Sequence, residues 1–150
     1  MRLLILLCGL LLLVACGGDD KSATSAPSAT DTPDQVAVKF FEAMLVDNDI
    51  RSARGYTTAS LARVLESFTS GKTAGRTLLN MRYDQVDITV EDTDKSVREF
   101  YKDKAEIMLI FTGTYDGGKK VDMRMVKMVQ LKGRWLVAEI KTDPFARAGV

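Results

Sequence analysis

The stretch AEIMLIFTGTYDGGKKVDMRMVKMVQLKGRWLVAEI, residues 105–140, decides the fold. Ala105, Ile107, Leu109 and Phe111 occupy every second position, the period of a strand with one buried face. Asp116-Gly117-Gly118 follows, a pairing that accepts the positive φ angles of a tight hairpin turn. On the return strand Val121, Met123 and Met125 alternate with Asp122 and Arg124. That alternation predicts an apolar face toward the core and a charged face toward solvent. Val126, Lys127 and Met128 break the phase, and a bulge or bend near Met125 would account for the switch. Lys132-Gly133 makes the next turn, and Trp135 to Lys141 reads as a last strand stopped by Asp143-Pro144.

Upstream, Val86, Ile88 and Val90 alternate with Gln85, Asp87 and Thr89, which adds a strand. A polar connection from Glu91 to Glu99 joins it to the next. Before Tyr83 the period is helical. Asp31 or Thr32 caps a helix with Pro33 at its first position, and Val36, Phe40, Phe41, Met44 and Leu45 follow at helical spacing. Asp47-Asn48-Asp49 ends that helix and caps a short one carrying Ile50, Ala53 and Tyr56. A third segment starts near Thr58, with Leu61, Val64, Leu65 and Phe68 at i, i+3, i+4 and i+7. Gly71 and Gly75 bracket a loop. Two or three helices followed by about four antiparallel strands give the α+β class, with the N-terminal helices packed on a curled sheet.

The N-terminus has a different chemistry. Arg2 precedes the apolar run Leu3 to Ala15, too short for the ~20 residues of a membrane span but suited to a signal peptide over residues 1–15. The run ends in Leu13-Val14-Ala15-Cys16, which resembles the bacterial lipobox. The resemblance implies diacylglycerol on the Cys16 thiol and cleavage just before it, so the membrane is the first partner expected. Gly17 to Thr32 carries only small and polar residues, and residues 16–32 are expected to form the lipidated cysteine and a flexible linker. Asp19 and Asp20 come too late to resemble the inner-membrane retention signal. The cell envelope is therefore the expected location, on the periplasmic face of the outer membrane where there is one. A folded domain over residues 33–143 and a tail over 144–150 complete the organisation.

Composition narrows the chemistry. The 21 Lys and Arg nearly cancel 20 Asp and Glu, and losing Arg2 with the leader makes them equal. That balance argues against a nucleic-acid partner. There is no histidine, and the two cysteines, Cys8 and Cys16, both precede the domain. A disulfide, a thiol nucleophile and a cysteine-held zinc are thus excluded from it, and neither cofactor nor metal is expected.

Two segments carry a resemblance to a family. Thr32-Pro33-Asp34, Phe40-Phe41-Glu42-Ala43-Met44 and Asp47-Asn48-Asp49-Ile50 with Ala53 resemble the opening of small lipoproteins of the nuclear transport factor 2-like superfamily. Gly133-Arg134-Trp135-Leu136-Val137 is similar to the hairpin that closes the sheet in that group. The resemblance covers Asp31 to Thr142 in order of elements and rests on fold-determining residues. It implies a cone with a pocket at its mouth, used by some members for isomerase or dehydratase chemistry and by many for binding alone. No Asp or Tyr here stands in a family motif, so no catalytic residue is carried over.

The remaining candidates read as ordinary surface or core. Asp84, Asp87 and Asp122 alternate with apolar neighbours and are expected in solvent. Tyr83, Tyr101 and Tyr115 sit at strand ends with hydroxyls in water, and Lys104 with Glu106 forms an exposed same-face pair. Met108, Met123, Met125 and Met128 cluster on one hairpin, where they fill an irregular core or offer an adaptable binding surface. Trp135 is expected as a core anchor. Lys119, Lys120, Arg124, Lys127, Lys132 and Arg134 gather near the last two hairpins as a solvated face. The expected function is a non-catalytic, lipid-anchored domain that binds a small molecule or a protein. The alternatives are a structural homodimer and, behind it, an isomerase- or dehydratase-like enzyme.

Overall fold

In the computed structural model, which describes residues 26–91 and 102–141, the helices come first and the strands last. Helix α1 spans Pro33–Phe41 and runs into a π-helical turn, Glu42–Val46; α2 is Ile50–Gly55, α3 Ala59–Glu66 and α4 Gly71–Leu79. Strands β1 (Gln85–Val90), β2 (Lys104–Tyr115), β3 (Gly118–Leu131) and β4 (Arg134–Ile140) form one antiparallel sheet in chain order. The sheet is curled and unclosed, and the class is α+β as expected. Cys16, Tyr101, the leader, most of the 91–99 connection, Asp143-Pro144 and the tail lie outside the described residues.

Local chemistry sets the helix ends. Pro33 occupies the first turn of α1, where its missing N–H costs nothing, and the Thr32 amide donates to Gln35 Oε1 at 3.1 Å. Asp49 caps α2 by accepting from the amides of Arg51 and Ser52 at 2.9 and 3.1 Å. The Ser52 hydroxyl, and after it those amide bonds, hold its carboxyl below the usual carboxylate range. Ordered structure begins before Thr32. Pro27 is buried, residues 28–31 close a turn, and Asp31 Oδ1 takes Lys39 Nζ at 2.8 Å, so the last part of the expected linker packs on the domain.

The Gly71–Gly75 segment is a helix, not a loop. Ser70 caps it through Oγ, which accepts the Thr73 amide at 3.2 Å. The glycines permit close approach to the π turn: a Cβ on Gly71 would strike the Met44 carbonyl, and one on Gly75 would come 2.7 Å from Leu45 Cδ2. The spacing of two glycines thus marked a packing face, which their low helix propensity concealed.

The core lies between α1 with its π turn and one face of the sheet. Val36, Phe40, Phe41 and Met44 are fully buried, as are Leu109, Phe111, Val126 and Val137 opposite them. Phe41 locks the two layers, its ring edge-on to both Phe40 and Phe111 at 4.8 Å between centroids. Burying each such ring stabilises by about 1.5–3 kcal/mol. Trp135 is only half-buried at the core's margin, so it is no central anchor. The edge of β4 is covered in its middle, where the Thr58 amide donates to the Val137 carbonyl and the Val137 amide to that of Tyr56.

The phase of β3 is opposite to the sequence expectation. Asp116 and Gly117 both have positive φ, the two-residue hairpin turn that joins Tyr115 directly to Gly118. From there the β2–β3 register runs unbroken and places Asp122 beside Phe111, Arg124 beside Leu109 and Val126 beside Ile107. Lys120, Asp122 and Arg124 therefore share the helix-facing side with the core. Val121, Met123 and Met125 turn to the other side, where Val121 is 62% and Met123 48% exposed. The irregularity lies later, between Lys127 and Met128 in the pairing with β4, rather than near Met125. Of the four clustered methionines only Met128 is buried in the core.

Candidate functional site

A cleft of about 260 Å³ opens at the end of the helix-facing side, where the sheet's apolar face gives way to charge. Its lining is Leu45 from the π turn, Lys72 and Arg76 from α4, Met81, Arg82 and Tyr83 from the segment after α4, and Tyr115 from the end of β2. Met81 and Leu45 are buried and supply apolar wall; Lys72, Arg76 and Arg82 are exposed at its rim. Lys72 and Arg76 stand four residues apart on one helix face, a like-charge spacing that costs a few tenths of a kcal/mol, about 0.2–0.5, in an isolated helix. No carboxylate lines the cleft. Arg82 Nη1 lies 3.5 Å from the Tyr115 hydroxyl across it.

Tyr83 is the best-determined wall. Its ring fits because β2 carries Gly113 beside it: a Cβ there would come 2.9 Å from Tyr83 Cδ1 and strike the Gln85 carbonyl. The hydroxyl donates to Asp122 Oδ2 at 2.5 Å and lies 3.4 Å from the Phe111 carbonyl oxygen. Lys120 Nζ sits 5.1 Å above the ring and 3.3 Å from the same carboxylate oxygen. Burial pushes the Tyr83 phenol well above its ordinary pKa, and the Asp122 carboxylate that accepts its hydrogen bond adds to the shift. Arg124, 4% exposed, reaches back to the end of α4, donating through Nη2 to the Leu79 carbonyl at 2.9 Å and through Nη1 to that of Met123 at 2.7 Å. At the Leu79 carbonyl the cation also meets the negative end of the α4 dipole.

Three sequence expectations change here. Asp122 is not a solvent-facing carboxylate, Tyr83 does not hold its hydroxyl in water, and Arg124 is not part of a solvated face. All three were displaced by the reversed phase of β3. The basic residues near the hairpins are dispersed rather than gathered. Lys127 pairs with Glu139 at 2.7 Å on the outer face, and Lys119, Lys132 and Arg134 are exposed about the turns. Asp84 and Asp87 are exposed as expected, and Asp84 accepts the Asp116 amide at 2.9 Å. Lys104 and Glu106 are exposed on one face of β2 as expected, Glu106 pairing with Lys141 at 2.9 Å.

Tyr83 and Asp122 form a tyrosine–carboxylate pair, but Asp122 does not line the cleft. Its oxygen is taken by Tyr83 and Lys120, and the phenol proton is directed away from the opening. The pair fixes the ring. Leu45 was expected only as a helix's apolar position, and Lys72, Arg76, Met81 and Arg82 were missed in sequence, because Lys72 fell in the supposed loop and Arg76 just after it; their i, i+4 spacing was the available signal. Among the described residues no cluster of three or more Asp, Glu, Cys or His is placed to hold a metal ion, and no helix is long and apolar enough to cross a membrane. No protein-family model, curated protein or solved structure matches the chain.

Proposed function

We propose that the chain is an envelope lipoprotein held by lipid on Cys16, whose domain binds a small molecule without transforming it. Support for the anchor comes from the apolar run ending in Leu13-Val14-Ala15-Cys16 and the small, polar residues after it. The order of helices and strands fits the nuclear transport factor 2-like cone, a finer reading than the α+β class itself. The binding role rests on one observation: a cleft between α4 and the end of β2, walled by a buried tyrosine ring that a half-buried carboxylate holds still. Pre-formed walls lower the ordering cost of binding.

Native mass spectrometry of the full chain drawn from membranes tests this reading. A retained small-molecule mass, lost when Lys72→Trp fills the cleft rim, is the expected result. A chain that is empty in both forms, and that extract does not stabilise against heat, overturns it. For the anchor, Cys16→Ser should move the protein from the membrane to the soluble fraction; full retention with the leader cleaved refutes lipidation.

A second reading has its own observation. Val121 and Met123, with half-buried Met108, Ile110 and Met125, make an apolar strip on the outer face of the sheet. This strip suits the pairing of two copies face to face, and sedimentation of the full chain against Met123→Lys would show it as a dimer lost in the variant.

A further inference from the structure

We propose that the occupant of the cleft is a small organic acid, its oxyanion held by Lys72, Arg76 and Arg82 and its compact apolar body laid on Leu45, Met81 and the Tyr83 ring. This deepens the binding reading above and rests on it.

Charge placement carries the argument. Five cations elsewhere on the domain have a carboxylate partner: Lys39 with Asp31, Arg54 with Glu66, Lys120 with Asp122, Lys127 with Glu139 and Lys141 with Glu106. Around the cleft Lys72, Arg76 and Arg82 converge with no carboxylate in the lining and no ion pair to any described residue. Like charges gathered at one opening repel, and an anion between them relieves the repulsion. A nearly neutral chain has acids enough to place one there, so the imbalance is local. Two guanidiniums suit the planar or tetrahedral oxygens of a carboxylate or phosphate, which they grip through paired N–H donors. The apolar walls demand more than an inorganic ion. At about 260 Å³ the space lies just below the range of ~300–1,000 Å³ typical of drug-sized ligands, which limits the body to about one ring or a short chain. Half-buried Asp122 does not line the cleft, and its charge is offset by Lys120 at 3.3 Å and bonded to the Tyr83 hydroxyl.

The methionines provide a local readout. Full chain carrying ¹³C-methyl methionine, in detergent micelles, is titrated with 4-phenylbutyrate, phenyl phosphate and uncharged 4-phenylbutanol, and followed by methyl NMR. Met81 lines the cleft, exposed Met123 lies on the opposite face of the sheet, and buried Met44 and Met128 report the fold. The expected result is a saturable shift of Met81 without Met123, with at least one acid binding ten-fold or more tightly than the alcohol. Arg76→Gln with Arg82→Gln should remove that preference while leaving the Met44 and Met128 signals in place. Whichever acid binds more tightly identifies the oxyanion. Equal binding of alcohol and acids, or an acid preference that survives the double substitution, overturns the anion inference while the cleft reading stands. No shift of Met81 with any of the three overturns both.

Discussion

The helix-facing side of β3 is two surfaces on one strand. From Val126 to Met128 it is dry and packs by shape against α1 and β4; from Lys120 to Arg124 it is charged, half-buried at Lys120 and Asp122 and buried at Arg124. The dry end needs only volumes that fit. The charged end needs partners delivered by three other segments: Tyr83 for Asp122, the Leu79 carbonyl for Arg124, and Gly113 to make room for the tyrosine. Buried charge is costly unless bonded, so one end tolerates substitution by similar size and the other by similar bonding.

The largest expected effect lies at the dry end. Met128→Ala empties a buried position there and should cost about 2–5 kcal/mol in urea unfolding followed by the fluorescence of Trp135. A loss under about 1 kcal/mol would show that α1 repacks freely and that the two ends are not distinct in kind. At the charged end, Arg124→Met keeps the bulk but leaves the Leu79 carbonyl without its donor, at about 1–3 kcal/mol. Should a residue of matching shape suffice there, the variant would be as stable as the parent.

Tyr83→Phe is subtler, and its effect depends on pH. At neutral pH it removes one donor to Asp122, for about 1–2 kcal/mol. The phenol's pKa is raised in the fold above its ordinary value of 10.0, so its contribution is complete below that value. Above pH 10 the unfolded chain ionises while the folded phenol stays protonated, and the parent loses stability that the phenylalanine variant does not. The gap should shrink in denaturation curves taken from pH 7 to 11; a constant gap would mean that the hydroxyl is not bonded as described. Smallest of all, Met123→Lys on the outer face should stay within about 0.5 kcal/mol in unfolding.

Most of the fold was legible wherever burial and polarity agree. In β1 and β2 every apolar position of the expected faces lies toward the core, and the spacing of Val36, Phe40 and Phe41 named the face of α1. Strand β3 misled because chemistry and direction disagree along its first half. Val121, Met123 and Met125 look like a core face, while Asp122 and Arg124 take the core side with partners that local pattern does not reveal. The correction was nonetheless available in the sequence. A two-residue turn at Asp116-Gly117 fixes the register, so Phe111 on the core side puts Asp122 there too. Less of the cleft was legible: Tyr83 and Tyr115 were noted, but the cations opposite them required α4, which two glycines disguised.

That turn also has a consequence in time. A hairpin with two residues at its tip closes within about 1–10 μs, whereas contacts between α1 and the sheet must wait for a loop of many tens of residues to shut. On its own β3 offers a plausible apolar set on either side, so a late decision would leave two competing arrangements. The positive φ angles of Asp116 and Gly117 favour an early one, before the helices arrive. The turn thus acts on the order of events: it narrows the search for the helices by choosing which side of the hairpin awaits them.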